Sequence, residues 1–169
     1  MTARLINFSI LVGALLLCGC NSYQLGPPVN LPFKTVYVAP IKNKSFAPQA
    51  HSTLTNQLAN AFLSEGVLTL HTKDKANATL SVVVDKYDRG ISATDETDSQ
   101  LARSISASLS AKATLIDNRT GKVYFRDIAF STSATVYDNA GFQQAEYQVM
   151  PILARDLSRK IHQYVISMW

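Results

Sequence analysis

Two cysteines, Cys18 and Cys20, stand one residue apart near the start of the 169-residue chain, and no other cysteine follows. A thiol there has three uses: a disulfide, a metal ligand, or a nucleophile that takes up an acyl group. A Cys18–Cys20 disulfide would close a tiny strained ring. A zinc site needs further Cys or His at ligand spacing, and none is present. The three histidines, His51, His71 and His162, are each solitary in the sequence, so they read as surface or structural residues. No GxSxG, P-loop or GxGxxG occurs. Asp95, Glu96 and Asp98 form an acidic loop without EF-hand spacing, which reads as solvated charge. The expectation is a protein without metal, cofactor or catalytic constellation, and not an enzyme.

The flanks of the cysteines decide between the three uses. Arg4 supplies a short positive region, and residues 5–17 are apolar apart from Asn7 and Ser9. About a dozen apolar residues are too few to span ~30 Å of hydrocarbon, so the run reads as a secretory signal. It ends in Leu17-Cys18-Gly19-Cys20, which resembles the bacterial lipobox. Cleavage before Cys20 would free a thiol and an amine for acylation. Cys18 does not fit that role, because Leu17 would then occupy the place of the small residue. Each buried CH2 contributes about 0.8 kcal/mol, so three acyl chains would hold the protein firmly on a membrane. Asn21 follows, where an Asp often retains lipoproteins in the inner membrane; its absence leans toward the outer membrane. The domains expected are a signal peptide at 1–19, the lipidated Cys20 with a proline-rich linker at 20–32, and a single α+β domain at 33–169. Removing Arg4 leaves 15 basic residues against 12 acidic ones, a balance too weak to argue for nucleic acid.

The elements follow from periodicity. Residues 34–40 (KTVYVAP) read as a short strand, with Val36 and Val38 on one face. Leu54, Leu58, Ala61 and Phe62 fall on one face of a helix over about 49–64, closed by Gly66. Leu80, Val82 and Val84 alternate in a strand at 78–88. In 104–116, Ile105, Ala107, Leu109, Ala111, Ala113 and Leu115 alternate with Ser104, Ser106, Ser108, Ser110, Lys112 and Thr114. Period two over that length is a long strand with one wet or partner-facing side. The turn DNRTGK (117–122) leads into a strand at 123–137, alternating through Ile128, Phe130, Ala134 and Val136. A terminal helix buries a stripe of Met150, Ala154, Leu157, Ile161, Tyr164 and Met168, and either begins or kinks at Pro151. The expected fold is α+β: a four-stranded, mostly antiparallel sheet in the order β-α-β-β-β-α, covered on one face by two helices.

The order of these features resembles the LPS-assembly lipoprotein family LptE. The likeness rests on the lipobox with CNSYQLG, the strand VYVAPIKNKSF, the helix LTNQLANAFLSEG, the β-rich middle and the terminal helix. Tyr23-Gln24-Leu25 stands where the family shows an aromatic-x-Leu, and Val38, Pro40 and Asn43 match its strand exit. The resemblance implies an outer-membrane lipoprotein that sits inside a large β-barrel partner of the LptD type, helps it assemble, and assists lipopolysaccharide transport to the outer leaflet. The small hydroxylated row Ser106, Ser108 and Ser110, with Tyr137 and Phe142, would meet the barrel. Arg103, Lys112, Arg119, Lys122 and Arg126 would be the candidates for lipopolysaccharide phosphates. The chain departs from the family pattern where the loop before residue 103 is acidic and where 138–148 hold no Lys or Arg. A lipoprotein that regulates a peptidoglycan synthase opens similarly, but its tether is usually long, and here about a dozen residues separate Cys20 from the first strand. A periplasmic module for a small apolar ligand is a third reading.

Overall fold

The computed structural model describes residues 31–47, 49–94, 102–137 and 142–169. The expected signal, Cys20 and most of the linker lie outside these residues, as do Asp95, Glu96 and Asp98. In chain order the elements are β1 (Thr35–Val38), β2 (Lys42–Asn43), α1 (Ala50–Glu65), β3 (Thr69–Leu70), β4 (Ala78–Thr94), β5 (Ala102–Asp117), β6 (Val123–Tyr137) and α2 (Phe142–Ser167). The α+β class and the two helices match the expectation, but the sheet is larger and mixed. Six strands run in the order β3-β1-β4-β5-β6, with β2 also on β4. The expected count of four missed β2 and β3, which are two residues each and too short to show a period.

The expected antiparallel character holds for β4, β5 and β6 only. β1 pairs parallel to both β3 and β4, because α1 carries the chain back before β3 starts. β2 follows β1 along the same edge of β4, after a break at 39–41 where Pro40 has no N–H to give the ladder. His51 holds this break from α1: its Nδ1 lies 2.6 Å from the Ile41 carbonyl, which can only accept, so that nitrogen carries the proton.

Both helices cover one face of the sheet. Leu54, Leu58 and Phe62 of α1 and Leu153, Leu157 and Ile161 of α2 are fully buried, over Leu80, Val82, Leu109, Ala111 and Ala113. Of the two roles expected for His162, surface or structural, the fold gives the structural one: it is fully buried, edge-on to Phe62 at 4.7 Å between ring centroids. Gly66 ends α1 with φ 65°, a left-handed conformation in which a Cβ would be strained. Pro151 lies on the exposed side within α2, which continues through it.

Two bulges set which side chains reach the helices. Between Val84 and Lys86 the register of β4 against β5 shifts by a residue. Inward positions change from Val82 and Val84 to Tyr87 and Arg89, opposite the buried Leu109 and Ala107. In β6 one shift lies between Phe125 and Ile128, where Asp127 takes φ 51° and its N–H donates to Thr114 Oγ1 at 3.0 Å, and a second lies between Val123 and Phe125. Phe125 can therefore share a face with Ile128, Phe130 and Thr132 despite the change of parity.

Candidate partner-binding surface

The sheet face opposite the helices carries the serine row. In register across three strands, Ser110 lies between Lys86 and Ser131, Ser108 between Asp88 and Ser133, and Ser106 between Gly90 and Thr135. Paired residues point to the same side, so six hydroxyls of small side chains share one surface. Ser106, Ser108 and Ser110 are half-buried, and Ser131, Ser133 and Thr135 are exposed. Ser104, expected on the same row, is buried. A shallow hollow of about 270 Å³ lies over Gly90, between Asp88, Ser106, Ser108 and Ser133. Two lysines of this face are in ion pairs: Lys86 with Asp88 at 2.7 Å and Lys112 with Asp85 at 3.1 Å. Such a surface offers many hydrogen-bond donors and acceptors, little net charge and few long side chains to clear away.

Of the expected contact aromatics, Tyr137 ends β6 and is 74% exposed. Phe142 is the first residue of α2, and its side chain is outside the described ones. The five basic candidates do not form one cluster. Arg103 stands at the start of β5 and Arg119 just past its end, and 16 residues of strand span about 50 Å. The Arg103 side chain is outside the described ones. Lys112 is mid-sheet and engaged with Asp85. Arg126 is exposed beside the β6 bulge. Only Arg119 and Lys122 share a place, in the β5–β6 turn.

That turn is tightly organised. Asp117 Oδ1 accepts the N–H groups of Arg119 and Thr120, both at 2.8 Å, and Oδ2 accepts the Tyr124 hydroxyl at 2.8 Å. These bonds, Thr120 N–H foremost, hold the Asp117 carboxyl down to about 2. Gly121 turns the chain with φ 70°. Tyr124 packs edge-to-face with Trp169 and at a tilt against Phe33, with ring centroids 5.0 and 5.4 Å away, so the start of β1 and the end of α2 close onto the turn. A polar cleft of about 240 Å³ lies here, with Lys34, Asn77 and Arg119 among its walls. Sequence reading missed Lys34, because Lys34 and Arg119 meet only through the pairing of β1, β4 and β5.

At the opposite end Glu146 of α2 accepts Arg89 Nη1 at 2.7 Å on both oxygens and the Tyr87 hydroxyl at 3.1 Å. Burial first, then the Glu146 charge, pushes Tyr87 up to about 12. This group was also missed: without the bulge after Val84, Tyr87 and Arg89 would be assigned to the outer face. The largest hollow among the described ones, about 520 Å³, lies between α1 and the β1–β3 edge, with Tyr37, Val38, Ala59, Leu70 and Lys75 in its walls. Among the described residues no group of His, Cys, Asp or Glu could hold a metal, and no helix is long and apolar enough to cross a membrane.

The family model for lipopolysaccharide assembly, LptE, matches residues 33–165. A search of curated proteins gives no match. Solved structures share the fold at low identity. A protein from Xanthomonas campestris is 10% identical, with TM-score 0.57, over 84% of this chain and 90% of that one. A minor lipoprotein from Acinetobacter baumannii is 15% identical, with TM-score 0.52, over 81% and 93%. A PelC dodecamer from Paraburkholderia phytofirmans is 18% identical, with TM-score 0.52, over 85% and 94%.

Proposed function

The chain belongs to the LptE lipopolysaccharide-assembly family, and from that premise we propose that it is an outer-membrane lipoprotein that forms a complex with a large LptD-like β-barrel. Acylated at Cys20, it stands on the periplasmic face, assists assembly of the barrel, and aids transport of lipopolysaccharide to the outer leaflet. Its work is to bind and position, without catalysis.

The observation that carries this reading is the division of the sheet. One face is filled by α1 and α2, and the other presents Ser106, Ser108, Ser110, Ser131, Ser133 and Thr135 in register. The lumen of a transmembrane barrel is polar, so a plug needs a surface rich in short hydrogen-bonding groups. Long charged side chains would be costly to desolvate there unless paired, and Lys112 and Lys86 are paired. Lipopolysaccharide phosphates would be met by Arg103 at the far end of the sheet, with Lys112 and Arg126 along it.

The test is a detergent pull-down from native envelopes, with partners identified by mass, using the wild-type chain and Ser110→Arg. We expect a large outer-membrane barrel in near-equal amount with wild type and its loss with Ser110→Arg, whose circular dichroism stays native because residue 110 points away from the core. Recovery of a peptidoglycan synthase, or of no barrel, would overturn the reading.

A further inference from the structure

The end of the domain where the chain enters from its linker is basic. It is formed by residues 31–34, the loop at 71–77, the β5–β6 turn and the end of α2. The loop is tied back to β1 by Asn77 N–H on the Thr35 carbonyl at 3.1 Å, and to the turn by Asn118 N–H on the Asn77 carbonyl at 2.8 Å. Lys34, Lys73, Lys75, Arg119 and Lys122 are all exposed there. The acids whose side chains are described there are Asp74, and Asp117, whose oxygens are taken up by the turn and by Tyr124. Trp169, the only tryptophan of the chain, stands at the same end, 42% exposed, with its ring against Phe33 and Tyr124 and its N–H on the Val165 carbonyl at 2.9 Å. At the opposite end the described acids are each in an ion pair: Asp85 with Lys112, Asp88 with Lys86 and Glu146 with Arg89.

We infer that this basic end docks on the anionic phospholipid headgroups of the leaflet that holds the Cys20 acyl chains. The inference rests on the lipoprotein reading for the anchor and adds a second, electrostatic contact. Eleven residues from Cys20 to Leu31 reach at most about 40 Å, so the anchor confines this end, more than any other, to the membrane surface. One lipid signal with a basic patch is a known physical route to firm apposition, and each Lys or Arg near an anionic surface adds measurably to it. An indole at the rim suits the interfacial layer, where an apolar body and a polar N–H are both accommodated.

The test uses the protein purified from envelopes and reconstituted into vesicles whose acyl chains carry bromine. The vesicles are phosphatidylcholine alone or mixed with phosphatidylglycerol. Flotation with phosphatidylcholine alone reads the anchor; quenching of Trp169 reads the docking. We expect flotation with both and strong quenching only with phosphatidylglycerol, reversed by high salt. The variant Lys73→Gln/Lys75→Gln/Arg119→Gln/Lys122→Gln should lose that quenching, at least tenfold in the lipid dependence. Arg155→Gln/Arg159→Gln/Lys160→Gln, on the exposed side of α2, should keep it. Equal quenching in neutral vesicles, or an unchanged four-residue variant, overturns the docking and leaves the anchor standing. Preference of the same four residues for lipopolysaccharide aggregates over phosphatidylglycerol also overturns it. Failure to float with phosphatidylcholine overturns the anchor, while dependence of flotation on phosphatidylglycerol would still read the docking.

Discussion

Where the chain enters the domain, β3, β1, β4, β5 and β6 stand side by side under two helices, and the rings of Phe33, Tyr124 and Trp169 close the end. At the other end only β4, β5 and β6 continue, under the first turns of α2, and the inner face is finished by an ion pair and a phenol rather than by aliphatic packing. The helix side chains thin out in step, from Leu153, Leu157 and Ile161 to Ala145 and Val149. The difference is one of packing: the first end is closed by aliphatic and aromatic side chains under two helices, whereas the second keeps polar, partly exposed strands and should open at lower free energy.

The comparison breaks most sharply on a pair of substitutions, one at each end. Leu157→Ala removes a fully buried side chain from the seam between α2 and the sheet and should cost about 3 kcal/mol of unfolding free energy. Glu146→Gln at the far end should cost about 1 kcal/mol, because Arg89 is half exposed and water can replace most of what is lost. Urea titrations measure both, and amide exchange should show the second confined to β4 and the start of α2. Equal costs, or global loosening by Glu146→Gln, would erase the distinction between the ends.

A smaller effect sharpens it from the tether side. Asp117 is held at about 2, against an ordinary 3.8, by Thr120 N–H and the Tyr124 hydroxyl. Its folded value is depressed, so its stabilisation is complete above pH 3.8 and fades as the pH falls toward 2. In Asp117→Asn this part of the acid sensitivity should disappear, and the urea midpoint should vary less between those two pH values than in wild type. An unchanged slope would mean that the turn is not closed by this carboxylate.

How far the sequence could be read depended on length of pattern. The alternation of 104–116 is long enough that one face could be assigned without a structure, and Ile105 to Leu115 are buried as that alternation requires. The helix over 50–65 was legible for the same reason, with Gly66 as its stop. What escaped was local or non-local in equal measure. Two-residue strands carry no period, so β2 and β3 are not legible in the sequence. A parallel pairing of β1 depends on how α1 returns the chain, which residue spacing does not encode. The bulges at Val84–Lys86 and at Asp127 each insert one residue and invert the side chains up to the next register shift, which hid both the Arg89–Glu146 pair and the place of Phe125. The candidate site was legible as a serine row in one strand. That the same face continues as Ser131, Ser133 and Thr135 required the register of β6.

In the proposed function the hydroxylated sheet face, and not the helix face, meets the partner. The most direct measurement places a photo-crosslinking residue at Ser108 on that face and, separately, at Arg155 on the exposed side of α2, in cells, and identifies the product by mass. A crosslink to a large outer-membrane barrel from position 108 and none from 155 is the predicted result. A crosslink from 155 alone, or from neither, would contradict the account.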